Sequence, residues 1–204
     1  SRPRATEDPS DLIGRRLRDV AALAKSWNFE DAGIGMAAVN AYHSHPVRAL
    51  AHGFTPCKEN NWARTFHPYA PLVAGKRVAV IGHFPFAAAA MPDAAQLTIL
   101  ERNVFDGDYP DSACEYLLPD MDYVFISGSA FVNKTMPRLL VLSSDAHTVV
   151  LGPSTPASPA ILRAGATTVM SFASAHPARL EDGLAGRSLL GMYDAGMRVE
   201  LTRP

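Results

Sequence analysis

Five short apolar runs, rich in β-branched residues, constrain this chain most. They are KRVAVIG (76–82), QLTILER (96–102), DYVFISG (122–128), HTVVLGP (147–153) and TTVMSFA (167–173). Each has the length of a strand and almost no polar alternation, the pattern of a strand buried on both faces. Between most of them lie helix-like or loop segments, such as NKTMPRLLVLSS and SPAILRAGA. Continuous apolar strands alternating with helices predict a parallel sheet covered on both sides. Right-handed crossovers then give an α/β, doubly wound, Rossmann-like domain.

The region before Lys76 has a different texture. Residues 1–10 read as a disordered lead with neither a signal peptide's apolar core nor an initiator Met, so the chain is expected to be trimmed or part of something longer. Ser10 is the expected N-cap of an amphipathic helix over 11–27, with Ile13, Leu17, Val20, Ala24 and Trp27 on one face. A second helix is expected in GIGMAAVNAYHSH, where Gly33, Gly35, Ala37 and Ala38 allow another backbone to approach. Residues 45–75 read as irregular, punctuated by Pro46, Pro56, Pro68 and Pro71. HPARLEDGLAGRSLLGMYDAG (176–196) reads as one or two closing helices. The expected division is a small helical N-terminal portion, 1–70, and a Rossmann-like domain, 71–204.

At 204 residues and 48% hydrophobic content, the chain can bury a full core. A net charge of -1 leaves no electrostatic footprint for nucleic acid or an anionic membrane, so neither is an expected partner. No apolar run approaches the roughly 20 residues of a membrane helix. The two cysteines, Cys57 and Cys114, form no CxxC motif and suit a reducing cytoplasm.

Ligands of such sheets sit beyond the carboxyl ends of the strands. Four turns meet there: Gly82-His83-Phe84-Pro85; Glu101-Arg102 followed by NVFDGDYPDSACE; Gly128-Ser129 followed by Asn133, Lys134 and Thr135; and Gly152-Pro153-Ser154-Thr155-Pro156. Turn preference accounts for the Gly, Pro and Ser residues, but not for Glu101, Arg102 and Lys134 directly beyond buried strands. GSAFVNKT resembles the phosphate-binding G-x-x-x-x-G-K-[ST], with Asn133 in place of the second glycine. It follows the third strand rather than the first, so tight ATP binding is not expected. A helix N-terminus flanked by Ser129 and Lys134 can still receive an anion. Equally, Asn133 or Thr135 can simply cap that helix.

The first turn is not G-x-G-x-x-G, and neither a G-x-S-x-G elbow nor a Ser-His-Asp order is present. Metal-ligand types are His83, Glu101, Asp106, Asp108, Asp111, Cys114 and Glu115, a mixture suited to a transition metal ion. Their spacing matches no compact ligand motif. Asp106, Asp108 and Asp111 also suit a solvated turn, and Cys114 a small core side chain. His43 and His45 read as surface or C-capping residues. His52, His67, His147 and His176 have no evident partners.

ERNVFDGDYPDSACEYLLPDMDYVFISGSAFVNKTMPRLL, followed by VVLGPSTPASP, resembles the "putative heavy-metal chelation" domain family. The likeness runs over roughly Lys76 to Leu184. It is densest at Glu101, Arg102, Gly107, Asp108, Pro110, Glu115, Pro119, Gly128, Ser129, Asn133, Lys134, Thr135 and Gly152 to Pro156. GIGMAAVNAY looks like the end of that family's smaller, enolase-N-terminal-like domain, whose leading strands are not evident here. The resemblance implies a site between two domains, and makes GSxxVNKT a pattern of that family.

The expected function is binding of a small anionic ligand or metal chelate at the carboxyl edge. Glu101 would accept hydrogen bonds or ligate, and Arg102 and Lys134 would hold negative charge. Gly82, His83, Gly128, Ser129, Asn133, Thr135, Ser154 and Thr155 would shape or orient the ligand. Glu101, Asp108 and Cys114 are the expected metal ligands. The alternatives are an enzyme with Glu101 as general base on a small nucleotide-like or carboxylated substrate, and an interaction domain with a degenerate pocket. An apolar helix pair without its partner strands points to a homodimer.

Overall fold

A computed structural model describes residues 8–187 and 191–204 of the chain. The strands are β1 (Thr55–Pro56), β2 (Arg77–Ile81), β3 (Gln96–Glu101), β4 (Tyr109–Pro110), β5 (Tyr123–Ser127), β6 (His147–Leu151), β7 (Thr168–Ser174) and β8 (Gly196–Thr202). The α-helices are α1 (Leu17–Ala21), α2 (Phe29–His43), α3 (Pro46–Ala51), α4 (Ala70–Val73), α5 (Ala87–Ala90), α6 (Cys114–Leu117), α7 (Met136–Leu142), α8 (Ala160–Arg163) and α9 (Pro177–Leu184).

The strands form one sheet in the order β1-β8-β7-β6-β5-β2-β3-β4. All five strands expected from the apolar runs are present and pair in parallel, in the doubly wound, Rossmann-like arrangement. From β2 the chain winds outward to β3 and β4, then returns to lay β5 on the other side of β2. The β2/β5 boundary is therefore the topological switch point, where the loops leave in opposite directions and open a crevice.

Alternation along each strand sends side chains to two cores. Ala79, Val124, Ile126, Val150 and Val169 pack with Leu118, Met136, Leu139 and Ile161 on one face. Val78, Val80, Phe125, Val149 and Met170 pack with Phe66, Tyr69, Val73 and Met91 on the other. Phe66, fully buried, sets its ring edge-on to Phe125 at 5.2 Å. Burial of a side chain of that size stabilises by roughly 1.5–3 kcal/mol.

The N-terminal portion departs from expectation. The single helix over 11–27 is three short pieces: a 3-10 turn at Pro9–Leu12, then α1, then a 3-10 turn at Ala22–Lys25. Gly14 at φ +81° interrupts it. The cap is Asp8, whose carboxylate accepts from the Ser10 amide at 2.9 Å, rather than Ser10 itself. Ile13 and Trp27, placed by periodicity on a buried stripe, are 84% and 78% exposed. The second helix, α2, starts four residues ahead of the expected segment, because the Asn28 side chain accepts from the Glu30 amide and caps it. Of its two glycines only Gly35 meets another backbone, the turn at Leu23 and Ala24; Gly33 faces open space.

The stretch 45–75 holds α3, α4 and β1, a two-residue edge strand. The tail forms α9 as expected, then a 3-10 turn at Gly191–Ala195 and β8, which runs antiparallel to both β7 and β1. Residues 1–7 of the expected disordered lead, and residues 188–190 of the closing helices, lie outside the described residues.

Candidate functional site at the carboxyl edge

Two clefts open beyond the carboxyl ends of β2, β3 and β5. The first, about 210 Å³, runs from Gly82 and Glu101 to Cys114 and Arg138. The second, about 600 Å³, is walled by Trp27, Phe29 and Glu30 at the start of α2 and by Asn103. Glu101, Arg102, Ser129 and Asn133 line both.

Glu101 ends β3 and ties the loops together. Its carboxylate accepts from the backbone amides of His83 (2.9 Å), Arg102 (2.6 Å) and Asn103 (3.3 Å). A carboxylate offers about four lone-pair directions, so most of its capacity goes to these amides. Arg102 sits 3.5 Å from Asp111, with its guanidinium 5.5 Å from the Phe29 ring centre. Across the first cleft, Arg138 forks onto Glu115 through Nε at 2.9 Å and a terminal nitrogen at 2.5 Å. That hydrogen bonding holds the Glu115 carboxyl below its usual range. The walls thus mix signs: Glu101, Asp111 and Glu115 against Arg102 and Arg138.

The loop after β5 is no phosphate cradle. Gly128–Phe131 is a 3-10 turn whose first amides are closed by Ser127, which accepts from the Ser129 amide and hydroxyl. Asn133 accepts from the Thr135 amide at 3.1 Å and its hydroxyl at 2.6 Å, capping the approach to α7. Lys134 takes the left-handed region at φ +68° and donates its ammonium to the Ala24 carbonyl. It grips the N-terminal portion and lines neither cleft. Ser154 and Thr155 also stay outside both. The Ser154 carbonyl accepts from the Asn40 side chain at 2.8 Å. Thr155 is fully buried and packs so tightly on Gly128 that a Cβ there would lie 2.5 Å from its hydroxyl oxygen. These residues hold the loop that presents Ser129. Gly82 closes the first cleft at φ +108°, where a Cβ would stand 3.1 Å from that of Ser127.

The expected metal ligands do not gather. Glu101 serves the three amides. Asp108 lies 2.9 Å from His83 Nδ1 and accepts from the Phe105 amide at 3.3 Å. Cys114 sits in the core beside the first cleft, its thiol pushed up to about 11 by burial. Asp106 lies exposed in its turn. Among the described residues, no group of three His, Cys, Asp or Glu side chains is placed to hold a metal ion. Sequence reasoning missed Trp27, Phe29, Asn103, Ser112 and Arg138. The start of α2 was legible in Asn28 followed by Glu30 and Asp31, an N-cap with an acidic first turn. The Arg138–Glu115 pair, 23 residues apart, left no local signal.

The family described as "Putative heavy-metal chelation" (DUF364) matches residues 66–197, and a second family of the same description (DUF4213) matches residues 2–43. An uncharacterized protein of Methanocaldococcus jannaschii is 26% identical over 161 residues, covering 74% of this chain and 57% of that protein. The chain thus spans a little over half the length of that relative. A solved DUF364 protein of unknown function from Desulfitobacterium hafniense is 38% identical, with a TM-score of 0.88 over 100% of this chain and 83% of its own. Another, from Pyrococcus horikoshii, shares the fold at TM-score 0.75 and 21% identity, over 98% of this chain and 79% of its own. With the parallel sheet, the loop pattern and these matches in agreement, this chain belongs to the DUF364 family, described as "Putative heavy-metal chelation".

Proposed function

We propose that the protein binds a small ligand bearing negative charge, specifically a metal chelate, in the joined clefts at the carboxyl edge of the sheet. The observation that carries this reading is the sharing of Glu101, Arg102, Ser129 and Asn133 by both clefts, beside the β2/β5 switch point. The metal enters as cargo already wrapped in an organic chelator, since the described residues gather no three-donor centre of their own. A chelate presents carboxylates around a cation, and walls of mixed sign meet both. Arg102 and Arg138 face the carboxylates, and Ser129 and Asn133 orient them by hydrogen bonding. Glu101, through its three amides, keeps the loops in register. The enzyme reading finds no support in Glu101, whose carboxylate is engaged by backbone rather than held open for a substrate proton.

We further place the chain in a reducing compartment as a homodimer. Cys57 and Cys114 are both free thiols, and a groove lined by Leu17, Ala21, Val39 and Tyr42 leaves apolar surface on α1 and α2. No helix among the described residues is long and apolar enough to cross a membrane.

Calorimetry on the untagged chain tests the ligand reading, comparing bare nickel ion with its nitrilotriacetate chelate. The chelate should bind more tightly than the bare ion, and Arg102→Ala should weaken it at least about fivefold, roughly the loss of one exposed charge-assisted contact. Tighter binding of the bare ion, or an unchanged affinity in Arg102→Ala, rejects the reading.

A further inference from the structure

The two clefts differ in what lies beneath their mouths. In the first, the side chains of Arg102, Asp111, Glu115 and Arg138 are between 44% and 56% exposed and stand in pairs, Arg102 with Asp111 and Arg138 with Glu115. Leu100, Ala130 and Leu139, which line the same cleft, are at most 4% exposed. All three belong to the core on that face of the sheet, and half-buried Ile81 and Leu142 pack against it. The first cleft is thus a charged mouth over an apolar floor. Among the described residues lining the second cleft, none belongs to either core. Its wall carries the polar side chains of Asn28, Glu30 and Asn103.

Charge and bulk therefore sort between the clefts. A carboxylate pressed onto Leu100 and Leu139 would lose its water and find no donor on the floor. An apolar group there displaces water that the floor cannot hydrogen-bond. The volume suits a small group: the first cleft holds about 210 Å³, and an engineered apolar cavity of about 150 Å³ already takes up benzene. Arg102 stands where the clefts join. Its guanidinium meets Asp111 through Nε at 3.5 Å and the Phe29 ring, and its other N–H groups are uncommitted among the described residues.

Resting on the chelate reading above, we propose that the chelator carries one uncharged apolar arm, the size of a single six-membered ring or a short alkyl chain. The arm seats on Leu100, Ala130 and Leu139, between Ile81 and Leu142. The anionic, metal-bearing head stays in the second cleft, with a carboxylate on Arg102. The ligand class narrows accordingly, from any anionic chelate to an amphiphilic one. Affinity comes from the arm through burial of apolar area, and orientation comes from the head through charge.

The experiment is calorimetry on the untagged full chain with the nickel chelates of N-methyl-, N-pentyl- and N-benzyliminodiacetate. The three share one head and differ only in the arm. Each methylene fully removed from water is worth about fourfold in affinity. The pentyl and benzyl chelates should therefore bind at least about tenfold more tightly than the methyl one. Ala130→Val fills the floor and Leu142→Ser removes one apolar side; each should cut the benzyl-to-methyl ratio by at least about threefold. Equal binding of all three chelates overturns the arm and leaves the chelate reading standing. A benzyl-to-methyl ratio that both variants leave unchanged seats the arm elsewhere and overturns the proposal as well. If none of the three chelates binds the wild type, the chelate reading falls and this inference with it. Should Ala130→Val fail to fold, Leu142→Ser at its half-buried position decides alone.

Discussion

Gly35 of α2 lies so close to Ala24 that a Cβ on residue 35 would stand 1.9 Å from the Ala24 amide nitrogen. The obstructing atoms are backbone, which no side-chain rotation can clear. Gly35→Ala should therefore cost about 1–3 kcal/mol, outweighing the roughly 1 kcal/mol that alanine adds to a helix interior. Gly33, with nothing within 4 Å of its would-be Cβ, is the internal control. Gly33→Ala should raise stability by about 0.5–1 kcal/mol. Thermal melts of the two variants measure the contrast, and equal stabilities would discard this account of the packing.

Glu101→Gln replaces a carboxylate that accepts three amides with a carboxamide offering one carbonyl oxygen. The loops after β2 and β3 should loosen, at a cost of about 1–3 kcal/mol in urea unfolding. Amide exchange should accelerate at His83, Arg102 and Asn103 in particular. Unaltered exchange at these three positions would show that the carboxylate is not their clamp.

Stability should fall away on both sides of neutrality. Burial lowers the imidazole pKa of His43, assisted by the nearby charge of His52, and burial alone lowers that of His147. The unfolded chain then takes up protons before the folded one, so stability is complete above the ordinary value of 6.5 and is lost as pH drops below it. At the other end, burial pushes the thiols of Cys57 and Cys114 up from 9.0 to about 11. The unfolded thiols ionise first, and stability declines as pH rises between those values. Denaturation midpoints across pH should trace this dome. His43→Gln should flatten the acid limb, and an unaltered limb would assign it to other groups.

Light scattering at micromolar concentration should return twice the 21.9 kDa of one chain. Charged substitutions at Leu17 and Tyr42, which line the groove between α1 and α2, should return the mass to that of a single chain. A wild-type mass already at one chain, and steady on concentrating, would reject self-association.

The parallel core was readable because its strands are buried on both faces and carry uninterrupted apolar runs. Glu101, Arg102, Ser129 and Asn133 were readable for a related reason: residues directly following such strands share one edge. What stayed hidden depends on contacts between distant segments. β1 is two residues long and exists only because β8 accepts it. Trp27, expected to end a single helix over 11–27, instead follows the extended backbone of Ser26, and Phe29 begins the next helix beside it. Lys134 occupied the position of a ligand-binding cation, yet its strained backbone turns the ammonium toward Ala24. The His83–Asp108 pair spans 25 residues, beyond any local motif.

The antiparallel β8 also sets a timetable. β1 pairs Thr55 with Glu200, a separation of 145 residues. As the ribosome extrudes the chain, the parallel strands can assemble while the outer edge of β7 still lacks its neighbour. That edge is a run of open amides and carbonyls able to recruit a strand from another nascent chain. β8 pairs with β7 along seven residues, from Gly196–Ser174 to Thr202–Thr168, and closes it. β8 thus acts as a cover strip on the sheet. Premature termination before Gly196 would yield an almost complete core with its most adhesive border exposed, fit more for aggregation than for partial function.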